Sequence, residues 1–229
     1  LSSHQPQAIK NGNSPFEWIQ KGGHVKGYLT ADPEKAAFWE KRLCADECLA
    51  PAGGGRPVRI GLVWAGAPHR EIREAEIADR RRSMQLQELA PLRKFSESVR
   101  FYSLQKGEPS AQLAHPPSGM EITDYTDMLR DFDDTAALAS CLDLVIAVDT
   151  STAHLVAGLG KPVWMLSRFD QCWRWLSRRT DSPWYGSLTI FQQIRPLDWS
   201  EPVSEIVRRL PDFIRQHSAV RVPENANRS

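Results

Sequence analysis

The segment DLVIAVDTSTAHLVAGLGKPVWMLS, residues 143–167, decides the fold class. Its first part, DLVIAVDT (143–150), is an uninterrupted apolar run of the kind found in strands that are buried on both faces of a parallel sheet. STAHLVAGLG (151–160) predicts a helix that ends at Gly160, and KPVWMLS (161–167) predicts the next strand. This order of elements indicates a βαβ unit, whose two strands run parallel.

The same alternation continues on both sides of this unit. Further strands are predicted in VRIGLVWAG (58–66), VRFYSLQKG (99–107), EITDYT (121–126) and LTIFQQI (188–194). Helices are predicted over 83–95, over 133–142 with Asp133 or Asp134 as the cap, and over 199–216. We therefore expect an α/β fold with a Rossmann-like, doubly wound parallel sheet.

Composition changes along the chain predict four regions. Residues 1–24 are polar and indicate a flexible lead-in or the remnant of a missing N-terminal domain. Residues 25–57 hold an approach helix, capped by Asp32, and a PAGGGRP linker. The sheet domain covers 58–216, and a disordered tail is expected over 217–229.

The overall composition is that of an ordinary globular protein, with 229 residues, 41% hydrophobic and 25% charged. The net charge of +1 gives no reason to expect nucleic acid as a partner. No apolar stretch is long enough to cross a bilayer and no signal-peptide core is present, which favours a cytoplasmic location. The four cysteines lack CxxC spacing, so no metal site is expected.

Tryptophan is unusually abundant. The chain has eight, and five of them lie between Trp164 and Trp199. Trp64 and Trp164 fall in predicted core strands, whereas the Trp-rich stretch 168–186 looks irregular. Part of this aromatic excess is therefore expected outside the core.

The strongest candidate site follows the strand at 143–150. Ligands of open parallel sheets bind beyond the carboxyl ends of the strands. Here that end delivers four polar residues and a histidine one helical turn later: Asp149, Thr150, Ser151, Thr152 and His154. Free N–H groups, hydroxyls and the helix dipole predict a cradle for a phosphate or diphosphate. A helix-capping cluster with a hydrogen-bonded histidine explains the same residues equally well.

Other strand ends supply weaker candidates. Gly66 lets a ligand approach the backbone, and Arg82 stands before the next helix, where a guanidinium can bind a diphosphate. The charge run that contains it, EIREAEIADRRRS (71–83), is more typical of a solvated loop. Gln105 and Lys106 either face the same crevice or form a polar turn.

The segment DFDDTAAL (131–138) has two interpretations. Its acids cap the following helix, or Asp134 and Thr135 contact a ribose or a base. None of the motifs GxGxxG, GxxxxGK[ST], GxSxG and HExxH is present. Nicotinamide-dependent Rossmann enzymes, P-loop nucleotidases, serine hydrolases of the elbow type and zinc proteases are therefore disfavoured.

An ordered series of motifs resembles the C-terminal half of bacterial glycosyltransferase family 9, which includes the ADP-heptose:lipopolysaccharide heptosyltransferases. The similarity covers roughly residues 25–212 and is nearest to the branch often fused to tetratricopeptide repeats. The motifs are RIGLVWAG, RRRSMQL, FYSLQKGEP, DFDDTAALASCLDLVIAVDTSTAHLVAGLGKPVWMLS, WRW and SPWYGSLTIFQQ.

The resemblance implies a GT-B architecture whose C-terminal Rossmann-like domain holds an ADP- or UDP-linked sugar donor. It places Asp149 to Thr152 and His154 at the donor diphosphate, although Ser151 stands where the family often has glycine. Arg82 matches the family's basic residue at the same phosphates. Residues expected at the donor or the cleft are Gly66, Gln105, Lys106, Asp134, Thr135 and Trp173. No metal and no cofactor are expected.

One departure from the family concerns the acceptor domain. The family's first domain supplies the carboxylate that acts as general base in an inverting displacement, and the residues before 25 do not match it. We therefore expect a donor-binding half that is inactive alone, whose catalytic residues are unknown and whose partner is a missing or separate acceptor-binding domain. A role in lipopolysaccharide biosynthesis would bring peripheral membrane association through the acceptor.

Two alternatives remain open from the sequence. In the first, the chain is a non-catalytic interaction module that uses a Trp-rich surface at Trp173 and Trp184, since exposed aromatic clusters favour interfaces. Alternatively, it is the donor domain of a protein O-glycosyltransferase, because nothing in a donor half identifies the acceptor.

Overall fold

The computed structural model describes residues 27–48, 56–67, 71–176 and 179–218. Its strands are β1 (Val58–Val63), β2 (Val99–Ser103), β3 (Ile122–Asp124), β4 (Leu144–Val148), β5 (Val163–Ser167) and β6 (Leu188–Gln192). Its α-helices are α1 (Pro33–Cys48), α2 (Arg73–Arg82), α3 (Phe132–Ser140), α4 (Ser151–Gly158) and α5 (Ser200–Ser218). Shorter 3₁₀-helices cover Leu86–Phe95, Glu108–Ala114, Thr126–Met128 and Trp173–Trp175.

The strands form one parallel sheet in the order β3-β2-β1-β4-β5-β6. Each lies within its predicted segment, and the doubly wound sheet is confirmed. From β1 the chain adds β2 and β3 on one side of the sheet and then β4, β5 and β6 on the other side. The order of strands therefore reverses between the parallel neighbours β1 and β4, where Ile60 is paired with Leu144. Such a reversal opens a crevice at the carboxyl ends of the two strands, which is where α/β proteins bind ligands.

Strand β4 shows why its sequence is continuously apolar. Leu144, Ile146 and Val148 pack into the layer formed with α5 and the 3₁₀-helix Leu86–Phe95. Val145 and Ala147 pack into the opposite layer with α3 and α4. Both faces of the strand are therefore buried, and neither can carry polar side chains without a cost in stability.

Helix α1 is part of the same packed unit. Asp32 caps it as predicted, because its carboxylate accepts hydrogen bonds from Glu34 N at 2.8 Å and Lys35 N at 3.0 Å. Trp39 and Leu43 are buried in the layer that also contains α3 and α4. The approach helix thus packs on the sheet. The boundary between residues 25–57 and the sheet domain (58–216) stays a prediction.

Three local expectations were wrong or incomplete. Residues 73–82 form a helix instead of a loop, because acidic residues at its start and three arginines at its end match the helix dipole. The helix expected over 83–95 is a 3₁₀-helix beginning at Leu86, and Pro91 within it has no N–H to donate. The cap of α3 is Asp131, not Asp133 or Asp134, and its carboxylate accepts from Asp134 N at 2.9 Å.

Trp64 and Trp164 are buried, as their placement in core strands predicted. Among the described residues, no helix has both the length and the hydropathy that a transmembrane span requires. The predicted lead-in (1–24), most of the linker and nearly all of the tail lie outside the described residues.

Candidate functional site

The candidate site lies at the carboxyl ends of β1 and β4. Beyond β1 the chain continues through Trp64, Ala65 and Gly66, and beyond β4 it passes Asp149 into α4. Because β1 and β4 are direct neighbours in the sheet, these two segments face the same crevice.

Gln105 fixes the shape of the β1 end. Its side-chain oxygen accepts hydrogen bonds from Trp64 N at 3.0 Å and Ala65 N at 2.8 Å. Its side-chain nitrogen donates to the carbonyl oxygens of Ala65 at 3.0 Å and Lys106 at 2.9 Å. Only 2% of Gln105 is exposed. This predicted site residue therefore supports the crevice wall, and its amide group is already engaged with the backbone.

Arg82 is brought to the crevice by the chain that leaves α2. Ser83 Oγ accepts a hydrogen bond from Gly66 N at 3.1 Å, and Met84 N donates to Trp64 O at 2.9 Å. The Arg82 guanidinium consequently lies against Gly66, where an added Cβ would be 2.5 Å from Nη2. Any larger residue at position 66 would displace the guanidinium from this position.

The contacts of Arg82 place a positive charge where β4 joins α4. Nη1 donates to Asp149 O at 3.0 Å, and Nη2 forms an ion pair with the Asp79 carboxylate. Within the described part of the chain, Nε is buried and makes no hydrogen bond. The N–H of Nε is therefore unpaired in the described structure.

The N-terminus of α4 has no side-chain cap. Thr150 occupies the cap position, but its hydroxyl donates to Val148 O at 3.2 Å instead of accepting from the first helical turn. Ser151 is exposed and Thr152 is half-buried. First-turn N–H groups without a side-chain acceptor therefore lie next to Arg82, and the side-chain cap of the alternative interpretation is not found at this helix. Anion binding at this turn stays a prediction.

The side chains of Asp149 and His154 point into an aromatic group. Trp175 Nε1 donates to Asp149 Oδ2 at 3.0 Å, and His154 Nε2 lies 3.8 Å from Asp149 Oδ1. His154 Nδ1 is 2.9 Å from the Tyr185 hydroxyl, which in turn is 3.5 Å from the Tyr28 hydroxyl. The imidazole also stacks on the Trp175 ring, with centroids 5.0 Å apart.

Burial controls the protonation of His154 and Tyr185. It lowers the pKa of His154, an effect that nearby Asp149 opposes and Arg174 reinforces. Burial also raises the pKa of Tyr185, and the hydrogen bond with Tyr28 acts in the same direction. At neutral pH the imidazole is therefore neutral and the Tyr185 phenol is protonated.

The remaining predicted residues on the β2 and β3 side already hold structural contacts. Lys106 Nζ donates to the carbonyl oxygens of Thr126, at 3.1 Å, and Leu129. The Asp134 carboxylate binds Arg130 at 3.0 Å and Lys35 at 2.7 Å, and these cations hold its pKa well below its usual range. These side chains order the loops around α3.

Thr135 and Trp173 complete the predicted set. The Thr135 hydroxyl donates to Asp131 O at 2.9 Å, inside the first turn of α3. Trp173 is 77% exposed, and the guanidinium carbon of Arg174 lies 6.0 Å from its ring centre. Trp173 is thus free to contact a ligand or a partner, whereas Thr135 is engaged in its own helix.

Sequence reasoning missed the contacts made by Trp175 and Tyr185. Both belong to the motifs WRW and SPWY, and Trp175, which lies in the stretch 168–186 that looked irregular, is fully buried. No periodicity covers this irregular stretch, so nothing local to the sequence marks which indole turns inward. Within the described ranges, no group of His, Cys, Asp and Glu side chains is arranged to hold a metal ion.

Comparison with solved structures now adds to this geometry. The chain superposes on the E. coli ADP-heptose lps heptosyltransferase II with a TM-score of 0.57 and 12% identity, covering 83% of this chain and 54% of that one. It also superposes on the family 9 glycosyltransferase from Veillonella parvula DSM 2008 with a TM-score of 0.53 and 8% identity, covering 82% and 53%. The fold is that of one half of a GT-B heptosyltransferase.

The chain is also similar in sequence to a curated protein. Protein FlbA of Caulobacter vibrioides is 28% identical over 191 residues, which are 81% of this chain and 29% of FlbA. No family model matches the chain. The chain thus spans about half the length of the solved glycosyltransferases and under a third of the length of FlbA.

Proposed function

We propose that this chain is the nucleotide-sugar-binding half of an inverting, metal-independent glycosyltransferase of the heptosyltransferase type. The observation that carries this proposal is the position of Arg82, which lies over Gly66 beside the uncapped start of α4. A fold shared with a glycosyltransferase that uses ADP-heptose supports the same conclusion.

The donor diphosphate would bind between Arg82 and the first turn of α4. The backbone N–H groups of Ser151 and Thr152 and their hydroxyls are suited to phosphate oxygens, because they add the helix dipole to direct hydrogen bonds. The Arg82 guanidinium, whose Nη1 already contacts Asp149 O, would add positive charge at the same place. The nucleoside would extend toward α3, where Asp134 and Thr135 lie, and ADP or UDP is the proposed carrier.

In the proposed reaction an acceptor hydroxyl oxygen attacks the anomeric carbon while the bond from that carbon to the diphosphate oxygen breaks. The nucleoside diphosphate leaves with the bonding electrons, and Arg82 and α4 offset the charge that develops on it. The hydroxyl proton passes to a carboxylate base on an acceptor-binding domain. The half described here is therefore proposed to bind the donor but not to transfer the sugar alone.

Titration calorimetry with ADP and UDP tests this proposal. The wild-type chain should bind at least one of them, and Arg82→Ala combined with His154→Ala should weaken binding at least tenfold, since hydrogen bonds to charged groups contribute about 1.5–3 kcal/mol each. Arg81→Ala is the matched control, because Arg81 is a neighbouring, more exposed arginine that pairs with Asp170. Absence of binding to either nucleotide, or equal losses in control and double variant, would overturn the proposal.

Exposed indoles favour a second candidate function, an interaction module that retains the fold without catalysis. Trp173 is 77% exposed and Trp184 is 42% exposed, although the indole N–H of Trp184 donates to Arg174 O at 2.6 Å. On this alternative, the chain associates with itself or with a partner. Trp173→Ala should abolish that association, and nucleotide should not affect it. Size-exclusion chromatography with light scattering, with and without ADP, separates the two functions.

A further inference from the structure

We propose that Trp175 is a positioning residue, whose indole N–H holds the Asp149 carboxylate beside His154 and away from the first turn of α4. This hydrogen bond between Trp175 and Asp149, called the clamp below, is a feature of the chain without any ligand. Its benefit to diphosphate binding rests on the proposed function.

The geometry gives Asp149 two separate attachments. Its main-chain oxygen accepts from Arg82 on the crevice side, whereas its carboxylate is directed toward Trp175 and His154. Trp175 is fully buried, and its ring stacks on the imidazole of His154. Since an indole N–H can only donate, the carboxylate is the natural acceptor for it.

The clamp is useful because of where Asp149 lies in the sequence. It directly precedes Thr150, the cap position of an α-helix that has no side-chain cap. A free carboxylate near such a terminus would turn to the unpaired N–H groups and take the place of a bound anion. By engaging the carboxylate, Trp175 leaves those groups open to a diphosphate and reduces charge repulsion with it.

A double-mutant cycle on Trp175 and Asp149 tests this inference through ADP affinity. Trp175→Phe should weaken ADP binding about tenfold when Asp149 is present, because the released carboxylate competes with the ligand. In the Asp149→Asn background the same substitution should change the affinity less than threefold, because no charge is released. Equal losses in both backgrounds would show that Trp175 acts only through packing and would overturn the proposal.

A second measurement needs no ligand, so it stands even if the chain binds no nucleotide and the proposed function fails. The Asp149 carboxylate raises the pKa of His154, so Trp175→Phe, which lets this carboxylate turn toward α4, should lower that pKa in an NMR titration. The lowering should be absent in the Asp149→Asn background, where no carboxylate can move away. An equal change in both backgrounds would report only altered solvation of the ring and would overturn the clamp.

Trp64→Phe is the matched control for lost bulk. Trp64 is also fully buried, but it lies in the opposite layer, and its indole N–H has no hydrogen-bond partner among the described residues. Trp64→Phe should leave the pKa of His154 unchanged. If Trp175→Phe does not fold, the indole N–H resonance of Trp175 in Asp149→Asn decides: it should move upfield, and an unmoved resonance would contradict the hydrogen bond.

Discussion

At the scale of single residues, His154 has an environment that differs clearly from water. Its ring is stacked on Trp175 and bonded to Tyr185, and burial lowers its pKa below the ordinary value of 6.5. The imidazole therefore serves this site in its neutral form, as a hydrogen-bonding and stacking group. On the proposed function, the cationic role at the diphosphate falls to Arg82.

The depressed pKa of His154 has a consequence for stability. Above the unfolded-state pKa of about 6.5 both states are neutral, and the full stability is present. As the pH falls below that value the unfolded chain takes up the proton first, so the free energy of unfolding should decrease between pH 7 and pH 5. Urea unfolding measured over this range should show the decrease in wild type.

Two variants isolate the contribution of His154 to this slope. His154→Gln should flatten the pH dependence between pH 7 and pH 5, because it removes the group that titrates. His115→Gln should leave it as in wild type, since His115 is exposed. An unchanged slope in His154→Gln would show that the imidazole is not the group responsible.

At the scale of elements, a buried arginine joins α1 to the sheet. Arg59 lies on β1 with none of its side chain exposed, and it donates to Glu47 at 2.5 Å and Glu40 at 2.7 Å, both on α1. It also reaches Cys141 O at 3.3 Å. A desolvated guanidinium is stable only with such partners, so the position of α1 and the burial of Arg59 depend on each other.

Loss of this arginine should release the helix. Arg59→Ala leaves Glu47 largely buried without its main partner, and breaking a buried ion pair costs about 3–5 kcal/mol. We expect a corresponding loss in urea unfolding and faster proteolytic cleavage within α1.

Arg209→Ala is the control for the Arg59 experiment. Arg209 pairs with Glu205 on the exposed side of α5, and surface pairs contribute about 0–1 kcal/mol. If both alanine variants lost the same small amount, the attachment of α1 would depend on Trp39 and Leu43 instead of on the ion pairs.

At the scale of the whole molecule, the positive groups of the candidate site come from separate parts of the chain. Arg82 is carried by α2 and the N–H groups by α4, and they meet only because β1 and β4 are neighbours in the sheet. On the proposed function, a diphosphate between these groups would not require a divalent cation to offset its charge.

Metal independence is therefore a testable property of the site. The dissociation constant for ADP should be the same within twofold in EDTA and in magnesium chloride, as measured by calorimetry. Arg82→Ala should lose affinity in both buffers. A loss of tenfold or more on chelation of the wild-type chain alone would show that a cation takes part.

Much of the architecture could be read from local patterns. The apolar runs of β1, β4 and β5 and the capping residue Asp32 predicted their elements, because burial and capping act on residues close in sequence. Helix α2 was missed because its stability comes from charges matched to the helix dipole, and a run of mixed charge is also typical of loops. The misplaced cap of α3 reflects three aspartates in four residues, each suited to that position.

The sequence by itself determined a doubly wound sheet and predicted an anion-binding turn at Asp149 to Thr152, since both depend on patterns within single segments. Only the tertiary structure decided which partners these residues meet. Arg82 and Gly66 lie together, Trp175 is turned inward to Asp149, and Gln105 is engaged with the β1 backbone. These contacts join residues far apart in the chain, and their geometry follows from strand order and packing, which no local pattern encodes.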